Sequence, residues 1–402
     1  MKCKLSELTI DGKGTYGIAA SAVDYDSRKQ TYLRITDIND DGTINFGGLK
    51  SVDAEDSNKY ILKENDIVFA RTGASTGRSY FYRKEDGVFV YAGFLIKYSL
   101  DPQKVNPRFL KYYTHSKLYY DWVHSFDSGA TRGNINAKTF GDMLIELPDR
   151  KCQDKIVSIL KALDDKIAVN RRICENLEAQ AQALFKHWFI DFVPFKDGKF
   201  VESELGMIPE GWRVGTLGDL CIKIGSGGTP KSSNKEFYKG LIPWFGTGEF
   251  NDSFLFDSEK HITNEAVDNS SARMYPKHTV LIAMYGATVG KLSILSVDAT
   301  FNQAALGLVA YDFIDYPYVF LSLLNSRKAL VNLACGAAQQ NLNAGNIKSF
   351  KSIIPNKMVM KDFNNIIRPI YDLVEGYCKE NLRLSTLRDT LLPKLMSGQI
   401  KL

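Results

Sequence analysis

The first segment whose residue types could do chemistry is GSGGTPKSSNKEFYKGLIPW, residues 225–244, in which glycines lead to Lys231 and Ser232 as in a phosphate-binding loop. Such a loop needs a glycine directly before the lysine, because backbone N–H groups there wrap the phosphates. Pro230 occupies that place and has no N–H to donate. The polar run that follows lacks the apolar 3.6-residue period of a phosphate-binding helix. We therefore do not predict a nucleotide site, and the stretch needs another explanation.

The other reactive residue types show no spacing that predicts catalysis. Six cysteines form no CxxC pair, and five histidines show no metal-ligand spacing. Glycine-rich cofactor loops, ATP-binding motifs, methyltransferase motifs and compact acidic nuclease motifs are absent from the sequence. The expectation is a chain with no catalytic residues, no metal and no cofactor of its own.

Length and charge limit the remaining classes. A chain of 402 residues is expected to hold two or three domains. The formal net charge of +5 means that a polyanionic partner would meet local basic patches rather than a strongly basic tail. Scattered cysteines, no signal-peptide pattern and no apolar run near 18 residues predict a reduced, cytoplasmic protein without a membrane span.

An internal repeat organises the chain. Four blocks of the first half match blocks of the second in the same order, at offsets of 207 to 213 residues. The pairs are LSEL (5–8) with LGDL (217–220), YLRITDI (32–38) with WFGTGEF (244–250), DIVFARTGASTGR (66–78) with TVLIAMYGATVGK (279–291), and SGATRGNINA (128–137) with CGAAQQNLNA (335–344). The sequence is one unit written twice.

Each copy ends in a heptad pattern that predicts a long helix, with one Asn in its apolar seam: Asn170 in the first and Asn381 in the second. The seams suggest that the helices pack on each other as an antiparallel coiled coil of about 40 residues and about 60 Å, in which the Asn residues fix the register. The alternative is that each helix packs on its own globular domain. The seam positions are Ile156, Leu160, Leu163, Ile167, Asn170, Cys174, Leu177, Ala181, Leu184 and Trp188, then Phe363, Ile367, Ile370, Val374, Tyr377, Asn381, Leu384, Arg388, Leu391 and Leu395.

Short strand-like runs, among them DIVFA (66–70) and TVLIAM (279–284), and short helical stretches at 107–126 and 317–334 fill the rest of each copy. The predicted fold class is therefore α+β, with two pseudo-repeated α/β domains and two long antiparallel helices. The predicted division is a first domain at 1–149, a central helical spacer at 150–192, a second domain at 193–358 and a distal helical spacer at 359–402. If the helices pair, they would act as a ruler between the domains.

Polar side chains concentrate in the loops of both domains. Arg, Lys, Asn and Gln suit base edges, Ser and Thr hydroxyls suit phosphates, and glycines allow close approach of a ligand. The DNA-contact candidates are Arg34, Arg71, Thr72, Ser75, Thr76, Arg78, Arg132 and Asn134 in the first domain, and Thr229, Lys231, Ser232, Thr247, Tyr285, Thr288, Lys291, Gln339, Gln340 and Asn341 in the second. Asn136, Asn234 and Asn343 lie in the same loops.

Several of these residues have a plainer interpretation. Arg34 and Arg71 are equally well explained as solvated or phosphate-facing charges. Arg34 aligns with Gly246 in the second copy, so a base contact by residue 34 would mean that the domains read different sequences. Tyr32 and Trp244 lie in apolar runs, and core packing is favoured for both.

Taken together, the motifs resemble the specificity subunits of type I restriction-modification systems. GGTPKSSNKEFYKGLIPW resembles the entry to a target recognition domain, and DIVFARTGASTGR with TVLIAMYGATVGK resembles a later strand-loop block. GNINAKTFGDMLIELP and QNLNAGNIKSFKSIIP resemble the closing segments, LDDKIAVNRRICENLEAQAQALFKHWFIDF the central helical region, and LRDTLLPKLMSGQIKL the distal one. The resemblance covers essentially the whole chain.

The resemblance implies a non-catalytic subunit that binds a bipartite, asymmetric double-stranded DNA target. Two DNA methyltransferase (modification) subunits and ATP-dependent restriction subunits would be its partners. S-adenosylmethionine, ATP and Mg would then bind to those partners only. Two alternatives stay open: a tandem binding module for a non-DNA ligand, and the recognition part of a split nuclease-methylase.

Overall fold

The computed structural model describes residues 1–127, 133–333 and 341–402, which divide into two units. Unit 1 comprises Met1–Lys166 with Leu384–Leu402, and unit 2 comprises Ile167–Arg383. The division falls within the two long helices, so each of them contributes to both units. The four-part division at 149, 192 and 358 stays a prediction. Within the described residues, no helix is both long and apolar enough to cross a membrane.

Unit 1 contains ten described strands. Their bounds are β1 Lys2–Lys4, β2 Thr15–Tyr16, β3 Ala22–Val23, β4 Gln30–Leu33, β5 Lys50–Val52, β6 Asp66–Ala70, β7 Ser79–Phe81, β8 Phe89–Tyr91, β9 Leu95–Ser99 and β10 Leu144–Glu146. They form sheets in the orders β2-β9-β6-β7, β3-β5-β4-β8 and β1-β10. Strand β6, the predicted DIVFA run, is buried at every residue. It lies between β9 and β7 in its sheet, and both faces of the sheet are covered at this strand.

Unit 2 contains twelve described strands. Their bounds are β11 Phe200–Ser203, β12 Gly206–Pro209, β13 Arg213–Thr216, β14 Cys221–Ser226, β15 Ile242–Phe245, β16 Phe254–Leu255, β17 His261–Ile262, β18 Val280–Ala283, β19 Leu292–Leu295, β20 Thr300–Phe301, β21 Ala305–Ala310 and β22 Lys351–Ile354. The sheet orders are β14-β21-β18-β19-β16, β17-β15-β20, β13-β22 and β11-β12.

The strand order confirms the repeat seen in the sequence. The order β2-β9-β6-β7 in unit 1 reappears as β14-β21-β18-β19 in unit 2. The parallel pair β4 and β8 likewise reappears as β15 and β20. The predicted fold class, mixed helix and strand in two repeated domains, is confirmed.

The described helices have the bounds α1 Pro107–Tyr113, α2 Lys117–His124, α3 Ala137–Gly141, α4 Arg150–Phe189, α5 Asn264–Asp268, α6 Tyr316–Leu333, α7 Ala344–Ser349 and α8 Lys357–Met396. The helical stretch predicted at 107–126 is two helices rather than one. Ser116 breaks it, because its hydroxyl accepts from the N–H of Tyr119 and caps a new helix.

The long helices α4 and α8 are 40 residues each and run antiparallel within each unit. In unit 2, buried Asn170 donates from Nδ2 to Oδ1 of Asn381 at 3.0 Å and to Glu380 at 2.7 Å. In unit 1, Nη1 of Arg388 donates to Asp164 at 3.1 Å. All predicted seam residues are buried or half-buried. The Asn pair therefore meets in the helix seam, as the heptads predict.

The same helices also pack on the globular parts, so the alternative interpretation of the seams holds alongside the first. Phe185 and Phe189 of α4 contact Tyr318 of α6, with ring centroids 5.5 and 5.0 Å apart. Asp164 of α4 accepts from Lys111 and Tyr112 of α1 at 2.5 and 2.9 Å. The part of α4 and α8 that lies in each unit thus belongs to the core of that unit.

The helix register in unit 2 can be tested through Cys174 and Cys378, whose Sγ atoms are 4.0 Å apart. We expect mild oxidation of the native chain to join these two cysteines in an intramolecular disulfide, identified by peptide mass mapping. Burial raises the pKa of the Cys174 thiol to about 12, so the reaction should be slow at pH 7 and faster toward pH 9. Cys378→Ser is the control, and a native-state link from Cys174 to another cysteine would contradict the register.

Candidate nucleic-acid interface

Backbone hydrogen bonds bring several loops of unit 1 together where its central strands end. Gly17 donates to the carbonyl of Leu95 at 3.1 Å, and Arg71 donates to that of Phe94 at 3.1 Å. Ile135 donates to the carbonyl of Arg71 at 3.0 Å. These bonds hold the segments 16–17, 92–95, 71–78 and 133–136 side by side, and we call this set loop face 1.

Unit 2 repeats the arrangement with different side chains. Gly228 donates to Phe301 at 2.8 Å, Met284 donates to Ala304 at 2.8 Å, and Leu342 donates to Met284 at 2.8 Å, all through backbone groups. The segments 226–232, 301–305, 284–291 and 341–343 therefore meet as their counterparts do in unit 1. We call this set loop face 2.

Two glycines in each face are required by the backbone. Gly73 and Gly77 have φ of 74° and 86°, and Gly286 and Gly290 have φ of 70° and 80°. These angles lie in the left-handed region that glycine adopts without steric cost. The repeated glycines therefore fix the same loop shape in both units.

The glycines of the opening segment are explained by close packing. A Cβ atom at Gly227 would lie 2.1 Å from the carbonyl oxygen of Phe301, and one at Gly228 would lie 2.1 Å from that of Ser271. The N–H groups of both glycines donate to backbone carbonyls, so neither is free for a phosphate. This geometry agrees with the expectation that the stretch is not a nucleotide loop.

The three described arginines among the candidates have different surroundings. Arg34 donates from Nε and Nη2 to the carboxylate of Asp37 at 3.0 and 2.7 Å, and from Nη2 to the carbonyl of Gly48 at 2.7 Å. These hydrogen bonds to Asp37 raise the pKa of the Arg34 guanidinium. Arg78 donates to Asp40 at 2.6 Å and to the carbonyl of Ile38 at 3.1 Å. Arg71 instead lies over two aromatic rings.

Other candidates in loop face 1 divide between solvent and structure. Asn134 is exposed and Thr72 is half-buried. Ser75 is buried, and the hydroxyl of Thr76 donates to the carbonyls of Gly73 and Gly133 at 2.8 and 3.1 Å. Ser75 and Thr76 therefore stabilise the loop, and their placement does not favour a contact with DNA.

In loop face 2, most candidates reach solvent. Thr229, Lys231, Ser232, Lys291 and Asn341 are exposed. Tyr285 is 40% exposed and pairs with Asn341 in an isolated bridge. The half-buried hydroxyl of Thr288 donates to the carbonyl of Tyr285 at 3.3 Å. Thr247 is half-buried after β15, whose Phe245 accepts from Asn302.

Three candidates, Arg132, Gln339 and Gln340, lie outside the described residues. Asn136, Asn234 and Asn343 have local roles: each accepts a backbone N–H at the start of a short helix. Core packing is confirmed for Tyr32, which is buried, whereas Trp244 is half-buried and donates from Nε1 to the carbonyl of Gly228 at 2.9 Å.

Sequence reasoning missed Tyr16, Phe94 and Gln303. Tyr16 and Phe94 are exposed aromatic residues of loop face 1. Gln303 is exposed in loop face 2, and its side chain hydrogen-bonds to the hydroxyl of Thr229. Alignment of the two copies around the 92–95 and 302–305 segments was the signal that could have found Phe94 and Gln303, whereas no such signal marks Tyr16. The described residues include no group of three His, Cys, Asp or Glu side chains arranged to hold a metal.

Comparison with known proteins identifies the family. The family described as "Type I restriction modification DNA specificity domain" matches residues 5–179 and 209–367, which is most of the chain. The chain belongs to this family.

Similar proteins carry the same description. The HindI specificity subunit of Haemophilus influenzae is 27% identical over 409 residues, covering 85% of this chain and 88% of that one. The MjaIX specificity subunit of Methanocaldococcus jannaschii is 26% identical over 298 residues, covering 73% and 69%. The crystal structure of the S subunit of a type I restriction-modification system from M. genitalium has the same fold, with a TM-score of 0.56, 17% identity, and coverage of 98% of this chain and 95% of that one.

The chain is therefore a DNA specificity subunit of a type I restriction-modification system, as its motifs predicted. Specificity subunits of these systems are non-catalytic, so the prediction that the chain is not itself an enzyme is also confirmed.

The surroundings of Arg34 predict a structural effect when it is changed. Arg34→Ala would leave the buried carboxylate of Asp37 without its cation and should lower the free energy of unfolding by about 2 kcal/mol. Equilibrium urea unfolding of the full chain checks this. Arg28→Ala is the matched control, since Arg28 pairs with Asp26 from an exposed position and should contribute little. Equal effects of the two changes would contradict this role.

Proposed function

We propose that this specificity subunit reads a bipartite, asymmetric double-stranded DNA target, with one half-site read by each loop face. The observation that carries the proposal is a common loop framework that presents different side chains. Arg71 in loop face 1 corresponds to Met284 in loop face 2, because their backbones make equivalent hydrogen bonds. The backbone of Arg71 donates to Phe94 and accepts from Ile135, and that of Met284 donates to Ala304 and accepts from Leu342. Thr72 and Tyr285, which follow Arg71 and Met284 in sequence, correspond likewise. One framework with two sets of side chains suits two different half-sites.

The exposed residues of the faces have the chemistry of DNA contacts. Amides such as those of Asn134, Gln303 and Asn341 suit base edges, and exposed Lys231 and Lys291 suit phosphates. The candidate contacts of this proposal are Arg71, Thr72, Asn134, Thr229, Lys231, Ser232, Thr247, Tyr285, Lys291, Gln303 and Asn341, together with Arg132, Gln339 and Gln340, whose positions the structure leaves undescribed.

The helices α4 and α8 are proposed to set the gap between the half-sites. A helix rises about 1.5 Å per residue, so 40 residues give a rod of about 60 Å. In dimeric DNA-binding proteins, the geometry of the dimer sets the spacing of the half-sites in the same way. The gap is then a non-specific segment of constant length.

The subunit is proposed to direct modification and restriction subunits to this target. Two DNA methyltransferase subunits and ATP-dependent restriction subunits would assemble with it on DNA in the cytoplasm. The chemistry would belong to those partners, which would bind S-adenosylmethionine, ATP and Mg. Membership of the type I family supports this assignment.

The experiment that tests the proposal is selection of duplexes from a random pool by the full chain, alone and with its modification partner. A two-part motif with constant gap is expected, and affinity for it should fall steeply with salt because phosphate contacts release counterions. No enrichment in either condition would contradict the proposal. A tandem module for a non-DNA ligand would instead show no salt-dependent affinity for DNA.

Variants of the two faces should act on separate half-sites. Lys291→Gln should weaken discrimination in the second half-site or lower the salt dependence there, while the first half-site keeps its sequence. Changes in loop face 1, such as Arg71→Ala, should act only on the first. Selections with each variant measure this, with Lys2→Gln as a control because Lys2 pairs with Glu146 and belongs to neither face. A variant that altered both half-sites equally would contradict the two-reader arrangement.

A further inference from the structure

Among the described arginines of the DNA-contact candidates, Arg71 is the one that pairs with no described acidic side chain. Arg34 and Arg78 donate to Asp37 and Asp40, so their charges are already neutralised. No hydrogen bond or ion pair joins the guanidinium of Arg71 to another side chain within residues 1–127, 133–333 and 341–402. Its cationic group is therefore available to a ligand.

Two aromatic rings hold the Arg71 guanidinium in place. Its Cζ atom lies 5.3 Å from the ring centroid of Tyr16 and 5.7 Å from that of Phe94. Guanidinium groups are weakly hydrated and stack on aromatic faces, which fixes the plane of the group. The Tyr16 ring is held through its hydroxyl, which accepts from Ala137 N–H at 3.0 Å, and the backbone carbonyl of Phe94 accepts from the N–H of Arg71 at 3.1 Å. The three residues form one cluster.

The cluster is exposed on its outer side and buried on its inner side. Tyr16 is 44% exposed and Phe94 is 55% exposed. The Nε atom of Arg71, in contrast, is buried and has no hydrogen-bond partner in the described part of the chain. With Nε turned inward, the terminal nitrogens Nη1 and Nη2 are the pair left to meet a ligand.

This geometry points to one base. We propose that Arg71 reads a guanine in the first half-site through Nη1 and Nη2, which donate to O6 and N7 in the major groove, and that Tyr16 and Phe94 are its positioning residues. Paired donors in a fixed plane match the paired acceptors of guanine. A phosphate contact needs no fixed plane, and the exposed rings beside Arg71 suit base edges and thymine methyl groups better than phosphates.

Unit 2 supplies an internal comparison. The residue equivalent to Arg71 is Met284, which is buried, and the residue equivalent to Phe94 is Ala304. Loop face 2 therefore cannot read guanine in this way. The inference rests on the proposed two-part target, and the two half-sites let its failure be separated from failure of that proposal.

The test uses the full chain and the duplexes that it selects. Each guanine of the first half-site is replaced in turn by 7-deazaguanine, which lacks the N7 acceptor, and affinities are measured at one salt concentration. At one position we expect the replacement to weaken binding of the unaltered chain about ten-fold. Arg71→Lys keeps the charge but loses the paired N–H donors of the guanidinium. With this variant, 7-deazaguanine at the same position should change binding less than two-fold. The matched control Arg78→Lys should keep the ten-fold effect.

Two further readouts protect the test. Replacements in the second half-site should affect Arg71→Lys and the unaltered chain equally, which shows that the variant is folded. Phe94→Leu should reduce the sensitivity to 7-deazaguanine at the Arg71 position, and Phe94→Tyr should retain it, because a ring is what holds the guanidinium plane.

The results separate the two levels of the proposal. A first half-site without any G·C pair, or equal 7-deazaguanine effects with Arg71 and Arg71→Lys, would overturn the guanine assignment while a two-part motif stood. A salt dependence lowered by Arg71→Ala with an unchanged motif would also overturn it, since that is the behaviour of a phosphate contact. Failure to select any two-part motif would count against the proposed function itself.

Discussion

The antiparallel pairing of α4 with α8 is the constraint on which both units depend. Buried Asn170 meets Asn381 in unit 2, and Asp164 meets Arg388 in unit 1, so polar contacts mark the same register in each. A polar group in an apolar seam lowers stability when the register slips, because it loses its partner. The helices also carry Phe185 and Phe189 into the core of unit 2 and Ile156 and Leu160 into that of unit 1. The register of the helices therefore determines how each globular core is completed.

In the proposed function, recognition is separated from this framework. The positive-φ glycines and the backbone bonds of the loop faces are common to both copies, whereas the side chains presented on them differ. Under the proposed function, such a design would let the base preference of one half-site change without altering the fold of either unit. Arg34 and Arg78 belong to the framework in this sense, because they form ion pairs with Asp37 and Asp40. Arg71 belongs to the side chains that the framework presents.

The sequence predicted the features that depend on regular spacing. These features are the heptads of α4 and α8, the strand runs at 66–70 and 280–283, and the repeat itself. Each can be recognised from the order of residues along the chain alone. The surroundings of individual side chains could not be predicted in this way. The pairing of Arg78 with Asp40 joins residues 38 positions apart, and the stack of Tyr16, Arg71 and Phe94 joins three loops. Ser75 looked like a phosphate contact because hydroxyl residues are common there, but the loop folds it inward.

The most direct test of the proposed ruler is to lengthen both helices by one heptad, after Lys166 and after Arg383, where the two units divide. Inserting into 173–182 instead would disturb Cys174 and Ala181, which are buried in the core of unit 2. Matched insertions preserve the antiparallel register, and seven residues add about 10 Å, or about three base pairs. The ruler hypothesis predicts that the selected motif keeps both half-sites while its gap lengthens. Unchanged half-sites at an unchanged gap would contradict it.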